Sequence, residues 1–527
     1  MRSAYKDSEK IVVLSSSNDS YARAIVTAAM QRSFTAAQIE DVDYSQFRGK
    51  SRVVVLINPT DAEAPILSFV LRSQGKALVL GRVGRAVAEW LGLNIVENRA
   101  PDPAWAYAEA DAAEQFNASP ATIRYTQNHS LGRAAVVSMR PLVRYDFADE
   151  WNNLGYGSIP CAGNLWSVSC VAECRDSVDI GSIESAEGLV LSSYVSIVDT
   201  DQGAGLWINR AVGPVDSMEW HIVEEFWGNY RSEELLCYPY LNEIPLGYRG
   251  AVTMRLDCDQ GVESARPLFN LYSSMGLPFS VALLTGLNMG QSDLQLLEEI
   301  IGRGGAIVSH SVHHYPNWGE SYAAALEEAV ESSAWLRRNL PESVSGMYAV
   351  SPFHQNPPYA INALADGGYE GFIGGTIHND PEFLLGRAGR VPFTRKPMVS
   401  HSQQCMLHGD CYHRYRRSLG PYEESFSLRL RAGAIFGYLD HPFGPEYTYG
   451  WDSETERLQV HEQFLEHILA VDGLWWCSLA ECLDFLVQRD SARLCVADSG
   501  EVKFVYDRGR SLQVPSATWR GMVFGPN

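Results

Sequence analysis

The chain has 527 residues, 46% of them hydrophobic and 20% charged, with a formal net charge of −21 at pH 7. That length exceeds what one hydrophobic core usually supports, so two or three domains are expected. The negative charge argues against nucleic acid or an anionic membrane surface as a partner, and leaves a sugar substrate open.

Met1 to Lys10 holds no apolar stretch of the signal-peptide kind, and no later run reaches the roughly 18 uninterrupted apolar residues of a membrane span. A cytoplasmic location is therefore expected. Lys10–Ser15, Arg52–Ile57 and Lys76–Gly81 are short β-branched runs, with helical stretches at Tyr21–Arg32 and Val83–Leu91. The alternation predicts a small parallel-sheet α/β domain over residues 1–100, flavodoxin-like or similar in general shape to glutamine-amidotransferase domains. Gly81-Arg82-Val83-Gly84 reads as a tight strand-to-helix turn, because the Gly-x-Gly-x-x-Gly spacing of a dinucleotide site is absent. No cysteine precedes Cys161, which excludes a thiol nucleophile there and leaves a structural or docking role.

Ala100-Pro101-Asp102-Pro103 marks a boundary. Over residues 101–245 the apolar runs are short and broken by Gly, Asn and Asp, as at Ala134–Ser138, Leu189–Tyr194 and Gly205–Asn209, which predicts a β-rich middle domain. Trp220, Trp227, Tyr230, Tyr238 and Tyr240 then crowd the approach to the next domain. Such a cluster reads first as core or interdomain packing, with a sugar-stacking platform as the functional alternative. The ten cysteines lack zinc-knuckle spacing and most read as reduced core residues, with Cys170/Cys174 and Cys405/Cys411 readable alternatively as metal or redox pairs.

Three segments downstream fit together as one metal site. Asp257-Cys258-Asp259 ends the apolar run Ala251–Leu256; His310-Ser311-Val312-His313-His314 follows Gly304–Val308; Asp440-His441-Pro442 ends Ala434–Leu439. Side chains just past the carboxyl ends of parallel strands converge on one rim of an α/β fold. One carboxylate and two imidazoles suit zinc or a similar divalent ion and leave a position open for a reactive water. Asp259, His310 and His314 are assigned as ligands of one ion, Asp257 as the general base and His441 as the acid that protonates the leaving group.

In this order, with a Pro-centred loop at Val350-Ser351-Pro352-Phe353-His354, the motifs resemble the NodB homology domain of polysaccharide deacetylases, carbohydrate esterase family 4. Gly473–Phe485 is similar to that family's last strand and following helix. The resemblance covers residues 246–490 and implies a distorted (β/α) barrel that removes N-acetyl from an amino sugar. It implies the same roles for Asp257, Asp259, His310, His314 and His441. Residues 491–527, with Glu501–Tyr506, read as a C-terminal β extension.

The chain departs from the family pattern in two places. Cys258 separates aspartates that are usually adjacent, so the base and ligand roles of Asp257 and Asp259 are exchangeable. The arginine of the third motif is missing, and Arg387, Arg390 and Arg395 are the candidates to replace it in orienting the base. The backbone N–H of Phe353 is placed to stabilise a tetrahedral oxyanion. The polar stretch His401–His413 reads as a recognition loop, with His408 and Asp410 as substrate contacts or as a structural pair.

The expected activity is deacetylation of an acetylated amino sugar on a nucleotide or lipid carrier, a precursor of surface polysaccharide. A glycosyltransferase using Asp257 and Asp259 on a nucleotide sugar is one alternative. A non-catalytic carbohydrate-binding homologue is the other.

Overall fold

The computed structural model describes residues 9–96, 121–142, 167–214, 217–340, 348–374, 387–403, 405–445, 447–497 and 501–526. The boundary expected at Ala100–Pro103, and Cys161, lie outside them.

The first of two large sheets has nine strands, ordered Ile39–Asp43, Ile11–Ser15, Val53–Ile57, Gly75–Leu80, Gly203–Ile208, Val190–Thr200, Val178–Ser185, Ala121–Tyr125 and Met139–Pro141. The first five run parallel and the rest pair antiparallel. Parallel strands covered on both faces read as continuous apolar runs, as Val53–Ile57 does with every residue buried. Ala121–Tyr125 instead alternates buried and accessible side chains.

This sheet does not stop at the boundary expected near residue 100, since Gly203–Ile208 pairs in register with Gly75–Leu80. Of this sheet's strands beyond that point, Gly203–Ile208 joins the parallel set and the other four pair antiparallel. Ala134–Ser138, expected as a strand, is the end of a short helix and the turn after it, where Val136 holds φ +67°. Trp220, Trp227 and Tyr238 are buried in the core of the first sheet, and Tyr230 and Tyr240 pack against them, so the aromatic cluster is packing.

The second sheet has ten strands and carries the carboxyl-terminal half. Gly250–Cys258 lies near its centre, between Ser280–Leu283 on one side and Ile435–Asp440 on the other, with Leu474–Trp476 added at its start. Ala306–Ser309, Tyr348–Val350, Gly371–Gly374 and Val399–Ser402 continue outward beyond Ser280–Leu283. Every pairing is parallel except that of the edge strand Gly389–Arg390. The chain from Val399 to Met406 touches both ends of the sheet: Val399–Ser402 pairs with Gly371–Gly374, and Cys405–Met406 pairs with Tyr438–Leu439. Helices alternate with these strands and are capped by sequence, as where Ser478 and Glu481 form a capping box ahead of Leu479–Asp490.

The two sheets meet through buried polar contacts. Arg387 pairs with Glu224, which also accepts from Ser33, and Arg489 donates to the Arg32 carbonyl at 2.7 Å and the Asn242 carbonyl at 2.6 Å. Tyr240–Leu241 pairs with Ala517–Trp519, tying the last strands to the same seam. No helix of the described residues is long and apolar enough to cross a membrane, and the nine cysteines among them form no disulfide with one another.

Burial raises the Glu224 carboxyl, but Arg387 and His221 outweigh it and hold its pKa near 2. Its contribution is complete above the unfolded value near 4.3 and is lost as pH falls towards the folded one. Arg387→Ala removes the partner of a buried charge and is expected to cost about 3–5 kcal/mol. Chemical denaturation at neutral pH checks this, with an unchanged midpoint the contrary result.

Candidate metal centre

Each functional side chain stands at or just past the carboxyl end of a parallel strand of the second sheet. Asp257 and Asp259 come from the end of Gly250–Cys258, His310 follows Ala306–Ser309, and Phe353 and His354 follow Tyr348–Val350. His408 follows Cys405–Met406, and His441 follows Ile435–Asp440. Together with His314, Asp410, Tyr447 and Tyr449 they line a cavity of about 230 Å³.

His310 and His314 meet through a loop, although an i, i+4 pair also suits a helix. Ser311 and His314 hold φ of +68° and +57°, and the Ser311 hydroxyl accepts the His314 N–H at 3.0 Å. Glu328 clamps the loop from outside, accepting the N–H groups of Val312 at 2.8 Å and His313 at 3.0 Å. The His310 Nδ1 lies 3.1 Å from the Val350 carbonyl. A carbonyl only accepts, so Nδ1 carries the proton and Nε2 presents its lone pair to the site, the tautomer of a metal ligand.

The His310 and His314 Nε2 atoms are 3.0 Å apart, and Asp259 approaches them at 3.4 and 3.8 Å respectively. Asp259 Oδ1 is buried and has no hydrogen-bond partner. A carboxylate oxygen left bare beside two imidazole nitrogens is costly unless a cation completes it, and these three residues form one group able to hold an ion. Burial opposes ionisation of Asp259, but His441, His310 and His314 together hold its pKa below the ordinary value. Burial and the neighbouring His310 push the His314 imidazole down to about 4, which keeps it neutral and available as a ligand.

Asp257 is held differently. Arg255 Nε donates to Asp257 Oδ1 at 2.6 Å and Nη2 to Oδ2 at 3.0 Å, both side chains buried. Burial raises the Asp257 carboxyl, yet this fork keeps it far below the ordinary carboxylate range. The arginine that orients Asp257 is therefore none of Arg387, Arg390 and Arg395. Arg387 is taken by Glu224, Arg390 faces Asp490, and Arg395 is 65% exposed beside Asp366, away from the cavity. Arg255 was legible: on a strand, residues two apart share a face.

His441 Nε2 lies 3.4 Å from Asp259 Oδ2, its ring stacks on Tyr449 at 4.1 Å, and its Nδ1 is 2.6 Å from His408 Nε2. His408 is buried against His441, and Asp410 stands apart on the rim, so the two do not form the pair considered for them. Burial lowers the His441 pKa, but the hydrogen bond to Asp259 and the charges of Asp259, Asp257 and Asp440 raise it overall. Burial and the charge on His441 push His408 down to about 3. Behind this pair, His461 and Arg457 hold Asp440, and Arg457 donates to the His441 carbonyl at 2.7 Å. The Phe353 ring packs on His314 at 4.6 Å.

No family model matches the chain, and no curated protein sequence matches it. Among solved structures, a chain described as Agd3, a novel carbohydrate deacetylase, aligns over 97% of this chain and 93% of its own at 11% identity, TM-score 0.42. A putative polysaccharide deacetylase from Mycobacterium smegmatis aligns over 47% of this chain and 95% of its own at 12% identity, TM-score 0.35. An allantoinase, Puue, aligns over 46% of this chain and 91% of its own, also at 12% identity and TM-score 0.35. At these values the likenesses do not decide the activity.

His310→Ala and His314→Ala are each expected to lower bound metal, because one of three protein ligands is lost. Elemental analysis checks it, and full metal content in both variants is the contrary result. Arg255→Met strands a buried carboxylate and is expected to cost about 3–5 kcal/mol, most of it recovered in Arg255→Met/Asp257→Leu. A double mutant as unstable as the single one would contradict the pairing.

Proposed function

We propose that this chain is a metal-dependent hydrolase that removes the N-acetyl group from an amino sugar, on a barrel of the carbohydrate esterase family 4 kind. The observation that carries the reading is the unpartnered Asp259 Oδ1 beside His310 and His314. A divalent ion such as zinc, held by Asp259, His310 and His314, would supply Lewis-acid polarisation and an acidified water.

Asp257 stands 4.0 Å from His310 Nε2 and has both oxygens in the Arg255 fork, which suits an oriented base better than a ligand. It receives the proton of the attacking water. The Phe353 N–H is the candidate donor to the oxyanion, and Phe353, Tyr447 and Tyr449 line the cavity as an apolar wall for the acetyl methyl and the sugar face. His441, whose pKa Asp259 raises, gives its proton to the departing amine, and His408 fixes the ring through Nδ1.

The alternatives fit less well. A glycosyltransferase would place both aspartates on one ion, and Arg255 already occupies both oxygens of Asp257. The non-catalytic reading rested on a missing arginine, and Arg255 fills that place.

The direct test is free acetate released from a panel of N-acetylated saccharides and nucleotide sugars by metal-loaded protein, with no acetate from any of them overturning the reading. His441→Ala is expected to bind metal normally and to slow the N-acetyl substrate by about a hundred- to ten-thousand-fold. An aryl acetate, whose leaving group departs without that proton, suffers much less. Equal losses on both substrates would show that His441 is not the acid. In the metal-free protein the His441 imidazole is expected to titrate above the ordinary value of about 6.5, so its charge persists below that raised pKa and disappears as pH rises through it. Nitrogen NMR of labelled histidines reads this, with titration below 6.5 the contrary result.

A further inference from the structure

In the first sheet the chain places its second strand on one side of Ile11–Ser15 and its third, Val53–Ile57, on the other. Strand order reverses between those two, and in open α/β sheets ligands bind outside the carboxyl ends of the strands at such a reversal. A cavity of about 460 Å³ opens there, walled by Asp19, Asn58, Thr60, Asp61, Arg82 and Ser169. It is larger than the catalytic cavity and within the usual range for small-molecule sites.

Its rim is built to hold one shape. Asn58 sits at φ +46°; its Nδ2 donates to Asp19 Oδ1 at 2.6 Å, and its Oδ1 accepts the Arg82 N–H at 2.9 Å, so one side chain ties three loops together. Gly81, at φ +78°, admits this approach, since a Cβ there would lie 2.2 Å from Asn58 Oδ1. Asp61 Oδ1 accepts the Ala86 N–H at 2.8 Å and fixes the third loop.

The lining chooses among guests. Asp19 and Asp61 face one guanidinium, Arg82, so the crevice is net negative and disfavours phosphate or a nucleotide, frequent occupants of such reversals. A hard divalent cation is also poorly served, because Asp19 spends one oxygen on Asn58 and the other on Ser16, and Asp61 spends one on Ala86. The Arg82 guanidinium is exposed and makes no hydrogen bond or ion pair among the described residues. Hydroxyls both donate and accept, and they match the remaining Asp61 oxygen set against the Arg82 guanidinium and the Ser169 hydroxyl.

We propose that this crevice is a second binding site, for a neutral polyhydroxylated ligand, a saccharide, separate from the metal centre. The site stands independently of the deacetylase reading.

Hydrogen exchange followed by mass spectrometry on the full chain tests it with pentasaccharides of N-acetylglucosamine, N-acetylgalactosamine and glucose, alongside inorganic phosphate and magnesium. At least one saccharide is expected to slow exchange severalfold in peptides covering Asn58–Glu63 and Arg82–Ala88. Arg82→Ala and the crevice-filling Ser169→Phe are expected to abolish that slowing while leaving acetate release from a monosaccharide unchanged. Slowing by phosphate or magnesium in place of the sugars, slowing confined to the metal centre, slowing that survives both substitutions, or none at all overturns the proposal. Failure of the deacetylase reading shows separately, as absent acetate release with the crevice still protected.

Discussion

The site depends on one buried ion pair, the fork of Arg255 on Asp257 at the end of a central strand. Two charges removed from water are costly, and the cost is offset only where geometry is good and the remaining polar atoms are satisfied. Here both carboxylate oxygens are met, and a further guanidinium nitrogen reaches Gln403, whose Nε2 donates to the Tyr438 carbonyl at 3.1 Å. The pair therefore links two neighbouring strands to the segment at Gln403 and divides labour between two aspartates separated by one residue. Asp257 is saturated by a fixed cation, and Asp259 is left with an oxygen that lacks a partner. Between them Cys258 turns into the apolar core, as strand alternation requires.

On the far side of the cavity the same logic operates through histidines. His408 and His441 face each other at a separation that suits a single shared proton, and Asp440 behind them is neutralised by His461 and Arg457. Burial raises the Asp440 carboxyl, but these partners hold its pKa near 2, so it is a fixed anion. Asp259 at one nitrogen of His441 and His408 at the other set the ring's orientation. The left-handed residues Ser311, His314 and Phe353 meet on the same rim, and strained backbone of this kind gathers at functional sites.

Much of this was legible in the sequence because it is local. Continuous apolar runs marked the strands of the second sheet, and residues following them land on one rim, which brought Asp257, Asp259, His310, His314 and His441 together. Arg255 is equally local, since its spacing of two from Asp257 on one strand puts both side chains on the same face. His408 could be singled out by composition, but its contact with His441 depends on how Cys405–Met406 pairs with Tyr438–Leu439, a non-local register. The continuity of the first sheet past residue 100 was hidden for the same reason: Gly75–Leu80 finds its neighbour Gly203–Ile208 more than a hundred residues away. Arg395 shows the converse error, since a charge in a polar stretch met a nearer partner in Asp366.

Anomalous diffraction at the zinc edge from metal-loaded crystals examines the division of labour between the two aspartates most directly. A single peak bonded to Asp259, His310 and His314 is expected, with Asp257 retained by Arg255 outside the coordination sphere. A peak bonded to Asp257, or one seated among His408, Asp440 and His441, would contradict that division.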